Sequence, residues 1–259
     1  MSVWFAIPSK RPDPEAQPVL DLWRERGYLV ALFRDAGDPP LDCHFELRGV
    51  YPGYAAAVNR LCREILAADP QAEWIVHGGD DVAPDSSHSA DEIAVSCLEH
   101  FGCLALDRML QGQPCVSPEA TFGVMQPTGD RWGDEPWSRQ RWPERPAYID
   151  RICGSPWVGR EFARRMYGGR GPLCEAYHHM FEDEELQNVA DHLGVLWQRR
   201  DLVHHHGHWG RKPNASDADC PDFLRPVAVG ESGRRHWAES QTLFNDRKAA
   251  GFPGHEPIL

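Results

Sequence analysis

Continuous apolar runs and helical stripes alternate along the first part of the chain. Residues 3–7 form an apolar run closed by Pro8-Ser9-Lys10-Arg11-Pro12, a loop placed to meet a nucleotide. Pro14 to Gly27 reads as a helix with Leu20, Leu22 and Trp23 on its apolar side and Gly27 as its stop. Tyr28 to Phe33 is apolar throughout, as in a parallel strand covered on both faces, and Arg34-Asp35 follow at its carboxyl end. Gly53 to Asp69 carries Tyr54, Val58, Leu61, Ile65 and Leu66 at helical spacing and leads into a short strand, Trp74 to Val76. Strand–helix–strand–helix–strand predicts an α/β fold with right-handed crossovers.

Beyond this point the pattern predicts a helix over 89–100 and a strand over 121–125. A long loop rich in Trp and Pro over 129–147, a short element over 152–159 and a helix from Arg160 follow. Glu182-Asp183-Glu184-Glu185 opens a further helix whose Leu186, Val189, Ala190 and Leu193 share a face, stopped by Gly194. Val195-Leu196-Trp197 begins a strand expected to run on to His204-His205-His206-Gly207-His208. From Gly230 one helix is expected, docked by Trp237, Leu243 and Phe244, with a loose end after it. There is no internal repeat and no low-complexity segment.

The 259 residues suffice for one domain or one domain with an appendage. No apolar run approaches the ~20 residues that cross a bilayer, so no membrane partner is expected. The start reads as a strand and not as a signal peptide. The eight cysteines form no CxxC pair, which fits free thiols in a cytoplasmic protein.

Charge changes the picture in detail. The net charge of −12 argues against a dedicated nucleic-acid binder. Yet Asp69–Glu119 holds ten acids against one base, whereas Arg131–Arg170 holds nine arginines against five acids. The second stretch fits a solvated surface and equally one that meets phosphates.

Three groups at element ends could carry chemistry. Asp80-Asp81 follow a strand and two glycines. Carboxylates at strand carboxyl ends suit Mg²⁺ or Mn²⁺ shared with substrate phosphates, although Gly and Asp also simply make turns. The acids of 182–185 stabilise a helix start through its dipole, and Asp183 could equally serve as a general base. On one strand His204, His206 and His208 would project to one face, as ligands of one ion or as an exposed edge.

The order of these landmarks resembles the GT-A glycosyltransferases, nucleotide-sugar enzymes with a Rossmann-like three-layer α/β sandwich and a mainly parallel sheet. The matching pieces are the strand ending at Pro8-Ser9, the helix Gly53 to Arg60, Gly79-Asp80-Asp81, Phe181-Glu182-Asp183 and a late histidine. The resemblance spans about residues 3–212 and departs in reading Gly-Asp-Asp where two acids should flank a middle residue. It implies a donor half over 1–120, an acceptor half over 121–225 and a helical extension over 226–259.

It also implies a nucleotide-sugar donor, uridine diphosphate glucose or another UDP-sugar, held with Mn²⁺ or Mg²⁺. Pro8, Ser9, Arg11, Asp35, Asn59 and Asp80 would bind the donor. Asp81 and His206, with His204 as second choice, would bind the metal. Asp183, beside Glu182, would be the base of an inverting hexosyl transfer. Similarity to bacteriophage glycosyltransferases, together with Trp132, Trp137 and Trp142, points to hydroxymethylcytosine in DNA as one acceptor, with a glycan or small molecule as the other. Two rivals are a zinc metallohydrolase built on His204, His206 and His208, and a non-catalytic nucleotide-sugar-binding module.

Overall fold

The computed structural model describes residues 1–113, 117–127, 154–211 and 215–258. Among these, a seven-stranded sheet runs in the order β3-β2-β1-β4-β7-β6-β8. Its strands are β1 (Ser2–Pro8), β2 (Leu29–Arg34), β3 (Phe45–Arg48), β4 (Ala72–Val76), β6 (Val124–Pro127), β7 (Trp157–Gly159) and β8 (Leu196–Arg199). Pairing is parallel except at β7, which is antiparallel to both β4 and β6.

Side-chain alternation along β1 splits the core in two. Trp4 and Ala6 face α2 (Tyr54–Ala68), α4 (Arg160–Gly169), α5 (Glu182–His192) and α7 (Gly230–Ala249). Val3, Phe5 and Ile7 face α1 (Asp13–Glu25) and α3 (Ala90–Leu110). Both faces are covered, which is why β1 and β2 are apolar without a polar alternate. This is the Rossmann-like three-layer α/β sandwich that the resemblance implies.

Several boundaries differ from the sequence expectation. In α1 the buried side chains are Ala16, Leu20 and Trp23, while Leu22 is exposed on the far side. β3 escaped notice because it is a short, half-buried edge strand without an apolar run. α3 opens at Ser89 with a capping box, in which Ser89 accepts from the Glu92 N–H and Glu92 accepts from the Ser89 N–H. It continues well past His100, because Gly102 does not stop it. β6 begins only at Val124.

The expected strand from Val195 through the histidines does not exist as one piece. It breaks after Arg199, and His205–His206 forms a separate strand, β9, antiparallel to β5 (Val82–Ala83). The end of the chain is also held. The Ile258 N–H donates to the Arg165 carbonyl at 2.9 Å, and Phe252 and His255 are buried.

A short helix, α6 (Arg225–Ala228), precedes α7, which Phe244 anchors in the core. Trp237 is part-exposed but packs its ring on Phe181 at 4.9 Å. The segment with Trp132, Trp137 and Trp142 lies outside the described residues. None of the helices among those described is long and apolar enough to cross a membrane. Cys43, Cys62, Cys97, Cys103, Cys174 and Cys220 are free thiols.

Candidate functional site at the carboxyl end of the sheet

The carboxyl ends of β1, β2 and β4 open into a cleft of about 450 Å³. The loop after β1 contributes Pro8, Ser9, Lys10 and Arg11, β2 contributes Phe33 and Asp35, and the loop after β4 contributes Gly78 to Asp81. Tyr51, Tyr54, His178 and His179 form another wall, and His206 and His208 a third. Phe223, Leu224, Pro226 and Val227 complete the lining. Parallel strands all end on one side of a sheet, so loops distant in sequence meet there.

The two aspartates have different partners. Asp80 accepts from Ser9 Oγ at 2.8 Å and from Arg11 Nε at 2.5 Å. Asp81 accepts from Arg11 Nη2 at 2.9 Å and faces His206 Nε2 at 3.2 Å. Burial pushes both carboxyls up. For Asp80 burial is the largest effect and, joined by the Asp81 charge, it exceeds the lowering by Arg11 and Ser9, so its net shift is upward. For Asp81 the hydrogen bond and charge of His206, then Arg11, overcome burial and hold it down to about 2.

His206 reaches Asp81 through the ribbon of β5 and β9, where it pairs with Val82. Three further bonds fix that ribbon. Gly207 N–H donates to the Asp81 carbonyl at 2.6 Å, Trp23 Nε1 to the Val82 carbonyl at 2.7 Å, and Val203 N–H to Asp85 Oδ2 at 2.9 Å. His208 stands beside His206, ring centres 5.3 Å apart, and burial lowers it to about 4 with help from the His206 charge.

His204 goes elsewhere. It is buried edge-on to Trp23 at 5.2 Å with Nδ1 3.0 Å from Ser155 Oγ, and burial lowers it to about 3. The expected convergence of His204, His206 and His208 on one face fails because the chain enters β9 only at His205.

Among the described residues no group of three His, Cys, Asp or Glu side chains is arranged to hold a metal ion. A pair is present. Asp81 Oδ1 and His206 Nε2 lie 3.2 Å apart on residues that both line the cleft, and Mg²⁺ or Mn²⁺ needs only a minimal protein contribution when substrate phosphates and water complete its shell.

The backbone of the β1 loop is pinned by Arg34, a buried arginine whose guanidinium donates to the carbonyls of Ser9 and Arg11, each at 3.3 Å. Asp35 accepts from the Tyr51 N–H at 3.0 Å and pairs with Lys10 at 2.9 Å. Asn59 takes no part. Its carboxamide is buried against Leu173, donating to the carbonyl at 2.8 Å and accepting from the N–H at 3.0 Å. The apolar helix pattern that located Asn59 could not show that its polar group is spent on a neighbouring loop.

Glu182 and Asp183 are not among the residues lining this cleft, but the charge of Glu182 reaches Tyr51 and Tyr54 and that of Asp183 reaches Tyr54. Burial raises both phenols, and these charges raise them further. Glu182 is itself buried with Oε2 unbonded among the described residues, and burial followed by the Asp183 charge raises its carboxyl. The residue before it, Phe181, is left-handed at φ 73, packed on Trp237 and Phe244. A non-glycine residue in that conformation costs of order 1–3 kcal/mol, which this packing must offset.

The acids at this helix start are far from a solvated dipole partner, for Glu182, Glu184 and Glu185 are all buried. Glu185 accepts from Tyr167, from Tyr177 and from Nε and Nη2 of Arg247 on α7, each at 2.7–2.8 Å.

Sequence reasoning missed Tyr51, Tyr54, His178, His179 and Phe223. Only Gly53 gave a usable signal. It sits at φ 102 before α2, and a Cβ there would come 2.7 Å from His178 Nδ1, so the glycine lets the histidine loop approach. Of the arginine-rich stretch, the described members are occupied. Arg160 donates to the carbonyl of Ala72, Arg164 pairs with Glu161, Arg165 lies over Phe122, and Arg170 donates to the Tyr167 carbonyl.

No family model and no curated protein sequence matches the chain. Among solved structures, one similar chain is the catalytic domain of Drosophila β1,4-galactosyltransferase 7 in complex with xylobiose. It is 14% identical with a TM-score of 0.45, over 88% of this chain and 79% of that one. At this distance the likeness assigns neither activity nor ligand.

Proposed function

We propose that the protein is a divalent-metal-dependent glycosyltransferase that moves a sugar from a nucleoside diphosphate donor, a UDP-sugar, to an acceptor hydroxyl. The observation that carries this reading is the meeting of Asp81 and His206 at 3.2 Å inside a cleft at the carboxyl ends of β1, β2 and β4. A diphosphate leaving group brings negative charge to that point, and a carboxylate together with phosphate oxygens suits Mn²⁺ or Mg²⁺, with the imidazole as an added nitrogen ligand.

In this reading Asp81 and His206 hold the cation, and Asp80 and Ser9 orient it and the ribose. Pro8, Tyr51 and Asp35 cradle the nucleoside. A divalent cation held there would supply positive charge against the charge that develops on the diphosphate. Asp183 takes the proton of the attacking hydroxyl, since the raised, buried Glu182 leaves it as the acceptor of the pair. The bond from the anomeric carbon to the diphosphate oxygen breaks as the bond to the acceptor oxygen forms on the opposite face, which inverts the centre. Residues 1–120 supply the donor side and 121–225 the acceptor side, with 226–259 as a helical extension.

The test is a thermal-shift screen of nucleotide sugars with and without Mn²⁺, followed by assay of nucleoside diphosphate release. The true donor raises the melting point by mass action. Hydroxymethylcytosine DNA and small glycans are the acceptors to compare. Tight stoichiometric zinc without nucleotide binding would favour a hydrolase instead, and an Asp183→Ala variant with every function intact would leave a binding module.

A further inference from the structure

Every oxygen of the Asp80–Asp81 pair already has a partner. Ser9 Oγ takes one Asp80 oxygen and His206 one Asp81 oxygen, while the Arg11 guanidinium bridges the remaining two at 2.5 and 2.9 Å. Arg11 also approaches Glu15 at 3.5 Å and lies over the Phe223 ring at 5.7 Å. Its side chain is only 12% exposed. Its backbone carbonyl is fixed by Arg34, and among the described residues its side chain meets those two carboxylates, Glu15 and the phenyl face.

A guanidinium spanning two carboxylates supplies one of the two positive charges that a divalent cation would bring to the same oxygens. Two adjacent buried carboxylates without any cation would repel, so some positive group has to be there. A metal ion that bridged the two aspartates, or took the Asp81 oxygen facing Arg11, would have to displace Arg11 from at least one oxygen.

We propose, resting on the transferase reading above, that Arg11 and the divalent cation are alternative occupants of the Asp80–Asp81 carboxylates. With the carboxylates taken by a cation, the Arg11 side chain would be released towards the cleft, where its planar fork can meet the donor diphosphate. Arg11 is thus a positioning residue that keeps the acidic pair assembled before the donor arrives and couples metal binding to diphosphate binding.

The experiment measures Mn²⁺ affinity of the full-length chain without nucleotide, by titration calorimetry or by the paramagnetic signal of free Mn²⁺. Arg11→Met removes the competitor and is expected to bind Mn²⁺ about tenfold tighter or more, since charge-assisted hydrogen bonds no longer have to break. Arg11→Lys, which cannot bridge both carboxylates, should fall between wild type and Arg11→Met and keeps the comparison available if the methionine variant does not fold. As a control, Asp81→Asn should abolish binding in every background. Equal or weaker Mn²⁺ affinity in both Arg11 variants overturns the proposal while leaving a metal-dependent transferase standing. Absence of Mn²⁺ binding in wild type and variants alike, with or without UDP, overturns both.

Discussion

Asp81 and His206 face each other at 3.2 Å because a two-stranded ribbon, β5 with β9, folds the late histidine segment back over the loop after β4. Replacing His206 with Ala should therefore weaken Mn²⁺ binding by at least the roughly 10–100-fold lost with outer-shell partners. Turnover should fall with it, and added Mn²⁺ should restore part of the rate. An unchanged metal dependence would remove His206 from the site.

Asp183→Asn should leave donor binding in place and lower kcat. Loss of a general base costs about 10²–10⁴-fold. Equilibrium binding of the nucleotide sugar and single-turnover rates separate the two effects. A loss confined to donor affinity would argue against Asp183 as the base.

The Glu185–Arg247 pair joins α5, the helix that presents Glu182 and Asp183, to α7. Both guanidinium contacts are 2.7 Å and Glu185 is fully buried. Arg247→Met strands a buried carboxylate and should destabilise the fold by about 3–5 kcal/mol. Chemical denaturation measures this directly. A melting curve like that of wild type would show that α7 contributes nothing to holding α5.

His77 is buried beside Tyr54, 3.1 Å from its hydroxyl, and burial lowers it to about 3. Its folded pKa lies below the unfolded value of 6.5, so the unfolded chain binds the extra proton first. Its contribution is intact above pH 6.5 and declines as pH falls towards 3. By pH 5 the loss should be of order 2 kcal/mol. Denaturant titrations of wild type and His77→Gln across this range should diverge, with the variant less sensitive to acid.

Gly159 closes β7 against the segment before β6, and a Cβ there would lie 2.1 Å from the Thr121 carbonyl oxygen. Backbone cannot move aside as a flexible side chain can. Gly159→Ala should cost about 1–3 kcal/mol, as overpacking does, and thermal melts report it.

The sequence alone determined the α/β layering and much of one side of the cleft. Apolar runs of strand length and stripes of helical spacing are local signals, and they located β1, β2, β4, α1, α2 and α5. The loops that follow such strands are bound to share one rim, so Pro8, Ser9, Arg11, Asp35, Asp80 and Asp81 could be grouped from the chain itself.

What only the tertiary structure decided was pairing. The period of a strand put His204 and His206 on one face, yet the chain breaks before β9, sending His204 to Trp23 and Ser155 and His206 to Asp81. Four acids at a helix start read as a solvated dipole cap, yet Glu185 is enclosed by Tyr167, Tyr177 and Arg247, drawn from two distant segments. Periodicity reports which side of an element is apolar. It carries no information on which polar group from elsewhere will arrive to neutralise a buried charge, and that is settled only when the layers pack.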